Sequence, residues 1–392
     1  MKTHTCPGCL DGQMSIFYSQ DSVPSNSCIL LSSPKEAIAY PRGRMDMGFC
    51  DSCGFISNLS FDPRLTEYSQ RYEETQAFSG TFNAFHIALV ERLIRDYRLT
   101  GKRVLEIGCG KGEFLKLICQ KGNNSGIGFD PGFRPERIGS DSSPDITFVQ
   151  DFYSDKYAHE KADFVCSKMT LEHISQTGDF VAGVRRAIGE YRCDVFFQIP
   201  EATRILADCA FEDIYYEHCS YFTPGSLARL FRSKGFTVTK LSTEYDGQYL
   251  TIEARPRAAG DESPPLDQED DLATLRRYTA DFSSRVRKKL EQWRSVLDRA
   301  ATNGDKVALW GSGSKAVSFL TTLELTSEIE QIVDINPHRW GHYMAGTGHP
   351  IVSPAELTES RPDLVIAMNP IYKREITRDL SSIGLSPTVL TL

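Results

Sequence analysis

Residues 102–122 read KRVLEIGCGKGEFLKLICQKG. Val104 to Ile107 form a short, mostly apolar run that predicts a strand. Gly108-Cys109-Gly110-Lys111-Gly112 is a glycine-rich turn, and the residues from Glu113 onward predict a helix. Strand, turn and helix in this order open a βα unit. Glycines in such a turn let the backbone lie close against a ligand and adopt positive φ, which a side chain would resist. Just upstream, residues 85–99, FHIALVERLIRDYRL, carry apolar residues at helical spacing.

Further strands follow downstream. SGIGFDP (125–131) predicts a second strand ending at Asp130-Pro131, and ITFVQDF (146–152) a third ending at Asp151-Phe152. An acid at the end of the second strand can accept both ribose hydroxyls of a bound nucleoside. ADFVCSKMTLEHI (162–174) predicts a fourth strand, and DVFFQIPE (194–201) a fifth. The loop from Lys168 to His173 falls at the carboxyl end of the sheet, where ligands bind in open α/β folds. A dinucleotide fingerprint requires G-x-G-x-x-G, whose third glycine packs the helix on the strand. Here the spacing is G-x-G-x-G preceded by Glu106. That pattern resembles class I methyltransferases that use S-adenosylmethionine. The resemblance implies that Glu106 fixes the loop and that the backbone of Gly108, Gly110 and Gly112 lies against the methionine part. Asp130 and Pro131 would then meet the ribose. Asp151 would meet the exocyclic amine of adenine with Phe152 beside the ring, while Lys168 flanks the cofactor and His173 the sulfonium.

The 392 residues exceed one typical core, so two or three domains are expected. A hydrophobic content of 40% and a charged content of 24% fit a soluble globular chain. The net charge of −8 argues against a general nucleic-acid binder, which needs a basic face, but leaves room for a local basic pocket. There is no apolar run of about 18 residues and no apolar segment near Met1, so a cytoplasmic protein with reduced thiols is expected, without a membrane. Eleven cysteines then need a use other than disulfides. Cys6-Pro-Gly-Cys9 and Cys50-Asp-Ser-Cys53 are two C-x-x-C knuckles that together complete a tetrahedral shell for a structural Zn2+. The 40 residues between them call for a β-hairpin or an inserted loop. A redox pair would open a helix in a βαβ unit, and that context is missing. Cys28 is left as a spare.

The stretch DIYYEHCSYF (213–222) concentrates acid, base and phenol, and SYFTPGSL after it reads as a strand end and a helix start, with Thr223 capping and Pro224 in the first turn. YYEH therefore belongs to a loop before a helix, and loops carry function more often than strands do. Residues 255–271 are rich in proline and acid and read as a linker. Leu272, Leu275, Phe282, Val286, Leu290, Trp293 and Leu297 then follow helical spacing. KVALWGSGSKAVSFL (306–320), IEQIVDINP (329–337) and PDLVIAMNP (362–370) predict a small parallel βαβ domain. In its loop 339–350, RWGHYMAGTGHP, Arg339, His342 and His349 are candidates to grip a phosphate.

Taken in order, the chain holds two knuckles, Tyr68 and Tyr72 at Y-x-x-x-Y spacing, LEIGCGKG, LEHI, YYEH, LWGSGSKA, VDINPHRWGHYMAGTGHPI and AMNPIYKREI. This set resembles the sugar C-methyltransferases that act on nucleotide-linked keto-deoxysugars, the group that builds 3-C-methyl branched sugars in antibiotic pathways. The resemblance spans nearly the whole chain. It implies an α/β protein of three parts: a zinc-binding domain (1–70), a class I methyltransferase Rossmann-like domain (71–258) and a C-terminal Rossmann-like domain (259–392) that binds the substrate or covers the site. It also implies deprotonation beside the sugar ketone and attack of the carbanion on the methyl group. The residues it points to are His218, Glu217, Tyr215, His173 and Tyr72. His218 is the expected base, since histidine titrates near working pH. In an extended segment Glu217 would point the opposite way and anchor a sugar hydroxyl, with Tyr215 as neighbour of His218 or donor to the substrate. His173 and Tyr72 would donate hydrogen bonds to the enolate oxygen. Two stretches depart from the family: GSGSKAV has Ala316 where a glycine usually stands, and NPIYKREI replaces a more usual aromatic-Asn stretch. Both bear on the substrate. Partners are a small nucleotide-sugar and, at most, a second copy. The competing readings are an O- or N-methyltransferase on another small metabolite, and a nucleotide-sugar binding protein without catalysis.

Overall fold

Three sheets organise the chain in a computed structural model that describes residues 4–137, 145–261 and 263–392. The central sheet runs, edge to edge, through Ile146–Val149, Ser125–Phe129, Arg103–Ile107, Phe164–Lys168, Asp194–Pro200, Tyr249–Pro256 and Phe236–Glu244. The first five strands are parallel; Tyr249–Pro256 is antiparallel to both its neighbours. This is the class I methyltransferase order in an α/β fold. After Arg103–Ile107 the chain builds outward on one side and then crosses to Phe164–Lys168 on the other. The order therefore reverses between those two strands, and an open α/β sheet leaves a crevice at their carboxyl ends. The strands are buried on both faces: Val104, Leu105, Phe164, Val165, Val195 and Phe196 are each at most 5% exposed.

The N-terminal sheet is antiparallel, in the order His4–Thr5, Gln13–Pro24, Arg42–Cys50, Ile56–Asn58 and Ser220–Tyr221. The expected hairpin is present. Gln13–Pro24 and Arg42–Cys50 pair with Met14 opposite Cys50, which returns the second knuckle to the first. The last strand comes from a distant part of the sequence, since Ser220 and Tyr221 pair with Ser57 and Ile56. The residues just before it, YYEH, are thereby pinned against the N-terminal sheet.

The C-terminal sheet has five parallel strands in the order Ile351–Val352, Gln331–Val333, Val307–Trp310, Leu364–Ala367 and Thr388–Thr391. The predicted long helix extends over Leu272–Asn303 and packs Phe282 edge-on against Phe17 and Tyr18 of the N-terminal sheet. The stretch 255–271 is less free than its composition suggests. Arg232 binds Glu269, and Arg229 binds Asp271, so much of the expected linker is anchored to the helix Pro224–Ser233.

Candidate active site

One cavity of about 720 Å³ lies at the carboxyl ends of the central strands and reaches the same end of the C-terminal sheet. At its cofactor end the chain leaves Arg103–Ile107 through the glycine turn. Gly108 has φ +71°, and a Cβ there would lie 2.0 Å from Thr170 Oγ1, so only glycine lets the turn close against the fourth strand's loop. Asp130 shapes the same turn: its carboxylate accepts from the Gly110 N–H at 3.0 Å and the Gly132 N–H at 2.7 Å. Asp151 and Phe152 stand at the rim. Asp151 accepts from the Phe152 N–H at 2.8 Å and the Tyr157 hydroxyl at 2.7 Å and pairs with Lys156, while Phe152 is 63% exposed beside it. An exposed ring beside the glycine turn is a surface that a planar base can stack on.

Glu106 and Lys168 are buried together below this turn. Burial holds the Glu106 carboxyl up, and it holds the Lys168 ammonium down, each partly offset by the other's charge. Lys168 Nζ lies 2.5 Å from His86 Nε2 and 4.4 Å above the Phe114 ring. His86 was not singled out in the sequence. Burial and the nearby ammonium push its imidazole down to about 2, so it is a neutral acceptor for Lys168.

Over the glycine turn passes the segment that carries Tyr68 and Tyr72. Lys111 Nζ donates to the Tyr72 carbonyl at 2.8 Å and lies 3.4 Å from the Glu74 carboxylate, tying the segment down. Tyr72, Tyr215, His173 and His218 all reach the cavity. His173 Nδ1 lies 2.9 Å from the Tyr68 hydroxyl and 3.0 Å from the Glu217 carbonyl oxygen. His218 packs against Tyr215 at 4.2 Å between ring centroids and against His173 at 4.7 Å. Burial, with His173 and Lys315 nearby, holds the His218 imidazole well below its ordinary value, so it is neutral with a free lone pair at pH 7.

Most of the expected site residues therefore meet in one place: Glu106, Gly108, Gly110, Asp130, Pro131, Asp151, Phe152 and Lys168 line the cavity with the four rings. Gly112 does not line it; it caps the helix Glu113–Gly122 with φ +81°. Glu217 is also placed differently from its expected role on a sugar hydroxyl. YYEH closes as a turn, with the His218 N–H on the Tyr215 carbonyl at 3.2 Å, instead of running extended. That turn sends Glu217 out of the cavity lining and fully buries it. Its carboxylate accepts from Asn26 Nδ2 at 3.1 Å, from the Ser27 N–H at 3.3 Å and hydroxyl at 2.5 Å, and from Ser314 Oγ at 3.3 Å. Glu217 is thus a rivet joining all three parts of the chain.

The loop 339–350 also divides. Arg339 is buried on the cavity, donating to the Glu73 carbonyl at 3.2 Å, with its Nε unpartnered among the described residues. His349 is held by Thr347 Oγ1 at 2.8 Å and the Thr326 carbonyl at 2.7 Å, and neither it nor His342 lines the cavity. Cys28, left as a spare, lies on the cavity 3.5 Å from Ser314 Oγ. Tyr68, Lys111, His86 and Glu172 were missed. Tyr68 and Glu172 had a signal in the Y-x-x-x-Y spacing and in LEHI; the other two are brought in only by tertiary packing.

Outside the lining of this cavity the sulfurs of Cys6, Cys9, Cys50 and Cys53 lie within 4.8 Å of one another. A tetrahedral zinc with bonds of about 2.3 Å needs sulfurs about 3.8 Å apart. The Cys6–Cys53 and Cys9–Cys50 distances are 3.6 and 3.9 Å. Hydrogen bonding from Cys53 and backbone N–H groups pulls the Cys6 thiol down, while burial holds the Cys50 thiol up and the bond to Cys6 holds the Cys53 thiol up. The donor set fits a soft divalent ion with no open position.

Comparison with known proteins agrees with this geometry. Residues 81–241 match the family described as "Methyltransferase domain", and residues 263–386 match "C-methyltransferase C-terminal domain". The C-methyltransferase NovU of Streptomyces niveus is 26% identical over 348 residues, 85% of this chain and 81% of that protein. Among solved structures, the magnesium protoporphyrin IX methyltransferase ChlM from Synechocystis PCC 6803 with bound SAH is 14% identical. It covers 45% of this chain and 84% of its own at TM-score 0.35. The cyclopropane synthase MmaA2 from Mycobacterium tuberculosis is 15% identical and covers 47% and 70% at TM-score 0.34.

Proposed function

We propose that this S-adenosylmethionine-dependent C-methyltransferase methylates the carbon beside the ketone of a nucleotide-linked keto-deoxysugar through a base-generated enolate. The observation that carries this reading is the single cavity running from the glycine turn to Ser314, Asp334 and Arg339 of the C-terminal sheet, with His218, His173, Tyr72 and Tyr215 between its two ends. One end suits an adenosyl group, the other a second nucleotide, and the middle holds groups that move and hold protons.

S-adenosylmethionine, when bound, supplies an electrophilic methyl group on a sulfonium. Glu106, Gly108, Gly110, Asp130, Pro131, Asp151, Phe152 and Lys168 would hold it. His218 takes the proton next to the carbonyl. Its depressed pKa makes it a weak base, so the enolate oxygen must be stabilised as charge develops. The hydroxyls of Tyr72 and Tyr215 are suited to this; burial keeps both protonated, hence donors. His173 takes a different part from the one expected. Its Nδ1 faces the Glu217 carbonyl, which can only accept, as well as the Tyr68 hydroxyl, which can accept too, so the proton is assigned to Nδ1 and a lone pair to Nε2. Neutral His173 therefore accepts a hydrogen bond from a substrate hydroxyl rather than donating to the enolate. Each oxyanion donor is worth about 3 kcal/mol in barrier, and the rest is positioning. A zinc held by the four cysteines would be structural, since four protein ligands leave no open position for chemistry.

Incubation with methyl-labelled S-adenosylmethionine and a panel of nucleotide-linked keto-deoxysugars tests the substrate class. Label should enter at carbon and resist acid. In D2O with S-adenosylhomocysteine, the same sugar should exchange its α-proton without methylation. Label on oxygen or nitrogen, or no exchange, would reject the proposal.

A further inference from the structure

Glu172 lies on the turn Leu171–His173, beside both histidines and on the cavity wall. It is 1% exposed, and neither carboxyl oxygen has a hydrogen-bond partner among the described residues. On the same wall Asp130 is held by two backbone N–H groups and Asp213 by Arg204 and Lys315, while Glu74 and Glu106, each with one oxygen lacking a hydrogen-bond partner among the described residues, have the ammonium groups of Lys111 and Lys168 beside them. The only ion-pair contact of Glu172 among the described residues is His218 Nε2, 3.9 Å from Oε1. A carboxyl buried with no partner destabilises the fold. One that faces an active cavity is therefore arranged for something that arrives there.

The charge balance of the reaction says what arrives. One positive charge enters on the cofactor's sulfur. Transfer of the substrate proton to His218 breaks a C–H bond, leaves its electron pair in the enolate, and creates an imidazolium. When the enolate carbon bonds to the methyl group, the C–S bond breaks, its pair goes to sulfur, and the charge on sulfur is gone. One excess positive charge therefore stays in the cavity from cofactor entry until His218 gives up its proton. A single buried carboxylate beside His218 balances it throughout. Glu217 does not line the cavity and cannot do this.

We propose that Glu172 is the counter-ion of the reaction centre: protonated in the cofactor-free protein, ionised when the sulfonium enters, and then the carboxylate that holds the imidazolium of His218. Burial raises its carboxyl to about 8 in the empty site, consistent with the first state. The groups acting on this pair are His173, Lys315, Tyr68, Tyr249 and the Cys219 thiol, which donates to the Glu172 carbonyl. The sulfonium half of the proposal rests on the cofactor alone; the imidazolium half rests on His218 being the base. Glu172 is a positioning residue, acting through charge.

The test needs no sugar. S-adenosylmethionine and S-adenosylhomocysteine are titrated calorimetrically into the full-length protein at pH 7, in buffers of different ionisation enthalpy. The wild type should release up to about one more proton with the sulfonium cofactor than with the neutral thioether. Glu172→Gln should remove that difference and weaken S-adenosylmethionine about tenfold relative to S-adenosylhomocysteine, while Glu172→Asp restores part of both. Equal proton release in wild type and Gln variant, or an unchanged ratio of affinities, would overturn the proposal. If the Gln variant fails to bind S-adenosylhomocysteine, the wild type decides: no sulfonium-specific proton release overturns it. Metal analysis closes the other route. Glu172, His173 and His218 present ligand atoms within 4.8 Å, and one metal equivalent fewer in the Gln variant would assign the trio to a cation instead. Failure of the base reading shows separately, as turnover surviving in His218→Ala.

Discussion

At the scale of the residue, the proposed chemistry turns on His218. His218→Ala should lower kcat by about 10²–10⁴ and leave the calorimetric affinity for S-adenosylmethionine within twofold. Near-normal turnover would remove it as the base. His173→Gln should act on KM more than kcat if, as proposed, its Nε2 accepts from the substrate. A second consequence concerns pH. Glu172 is raised from the ordinary 4.5 to about 8 by burial. Over that interval the native state holds a proton that the unfolded chain has released, so the stability from this group is present below pH 4.5 and lost as pH rises through 8. The slope for one full proton is about 1.4 kcal/mol per pH unit. The cofactor-free wild type should therefore lose thermal stability between pH 6 and 8, and Glu172→Gln should lose less over the same range, read by calorimetric melting. The sequence made His218, His173 and Tyr215 visible because their density in DIYYEHCSYF and LEHI is unusual. It could not show that YYEH closes as a turn. A strand's alternation sets Glu217 against His218; a turn sets Tyr215 against His218 and sends Glu217 into the protein. Nor does a sequence place His173 Nδ1 3.0 Å from the Glu217 carbonyl, 44 residues away.

At the scale of the element, the two knuckles show how a long spacing is closed. The forty residues between them call for a hairpin, and a twelve-residue strand paired with a nine-residue one brings the ends back together. Tyr18, Val23, Met45, Met47 and Phe49 of those strands lie in the core shared with the long helix, so a metal there would hold the end of a hairpin that is already packed. Cys50→Ser should accordingly lose the bound metal and lower Tm, while leaving a folded chain that retains S-adenosylmethionine binding. Metal analysis and calorimetry decide this; a variant that kept its full metal content would rule out a four-cysteine site. Gly12 belongs to the same element: a Cβ there would lie 2.4 Å from Cys50 Sγ. Glycine turns and helix starts were the most legible features, since Thr223 caps Pro224–Ser233 as its sequence predicts. The strand Ser220–Tyr221 was legible as a strand end but not by partner, because its sheet is completed by residues from the other end of the chain.

At the scale of the whole molecule, the three sheets are bound into one body around the cavity. One hydrophobic cluster includes Met45 of the N-terminal sheet, Ile205 and Phe211 of the central part, and Phe282, Trp293 and Phe319 of the C-terminal part. Around the cavity rim the C-terminal part makes polar contacts of its own. Asn369 and Gln248 exchange hydrogen bonds at 3.0 and 2.9 Å, and the Tyr372 hydroxyl lies 2.7 Å from both Tyr245 and Gln76. Glu375 accepts from Ser79 Oγ at 2.9 Å and the Thr81 N–H at 3.0 Å, so it adds a second cap to the helix Gly80–Tyr97 from another domain. That helix carries Phe82 and His86 into the cofactor end of the cavity. Loss of such a cap costs about 0.5–2 kcal/mol, and here the loss would fall on a helix start that lines the cavity. Glu375→Ala should raise hydrogen exchange in residues 76–86 and weaken S-adenosylmethionine severalfold, with kcat at saturating cofactor within about twofold. If exchange rose equally throughout the C-terminal sheet, Glu375 would be holding that domain together instead of holding the helix under it.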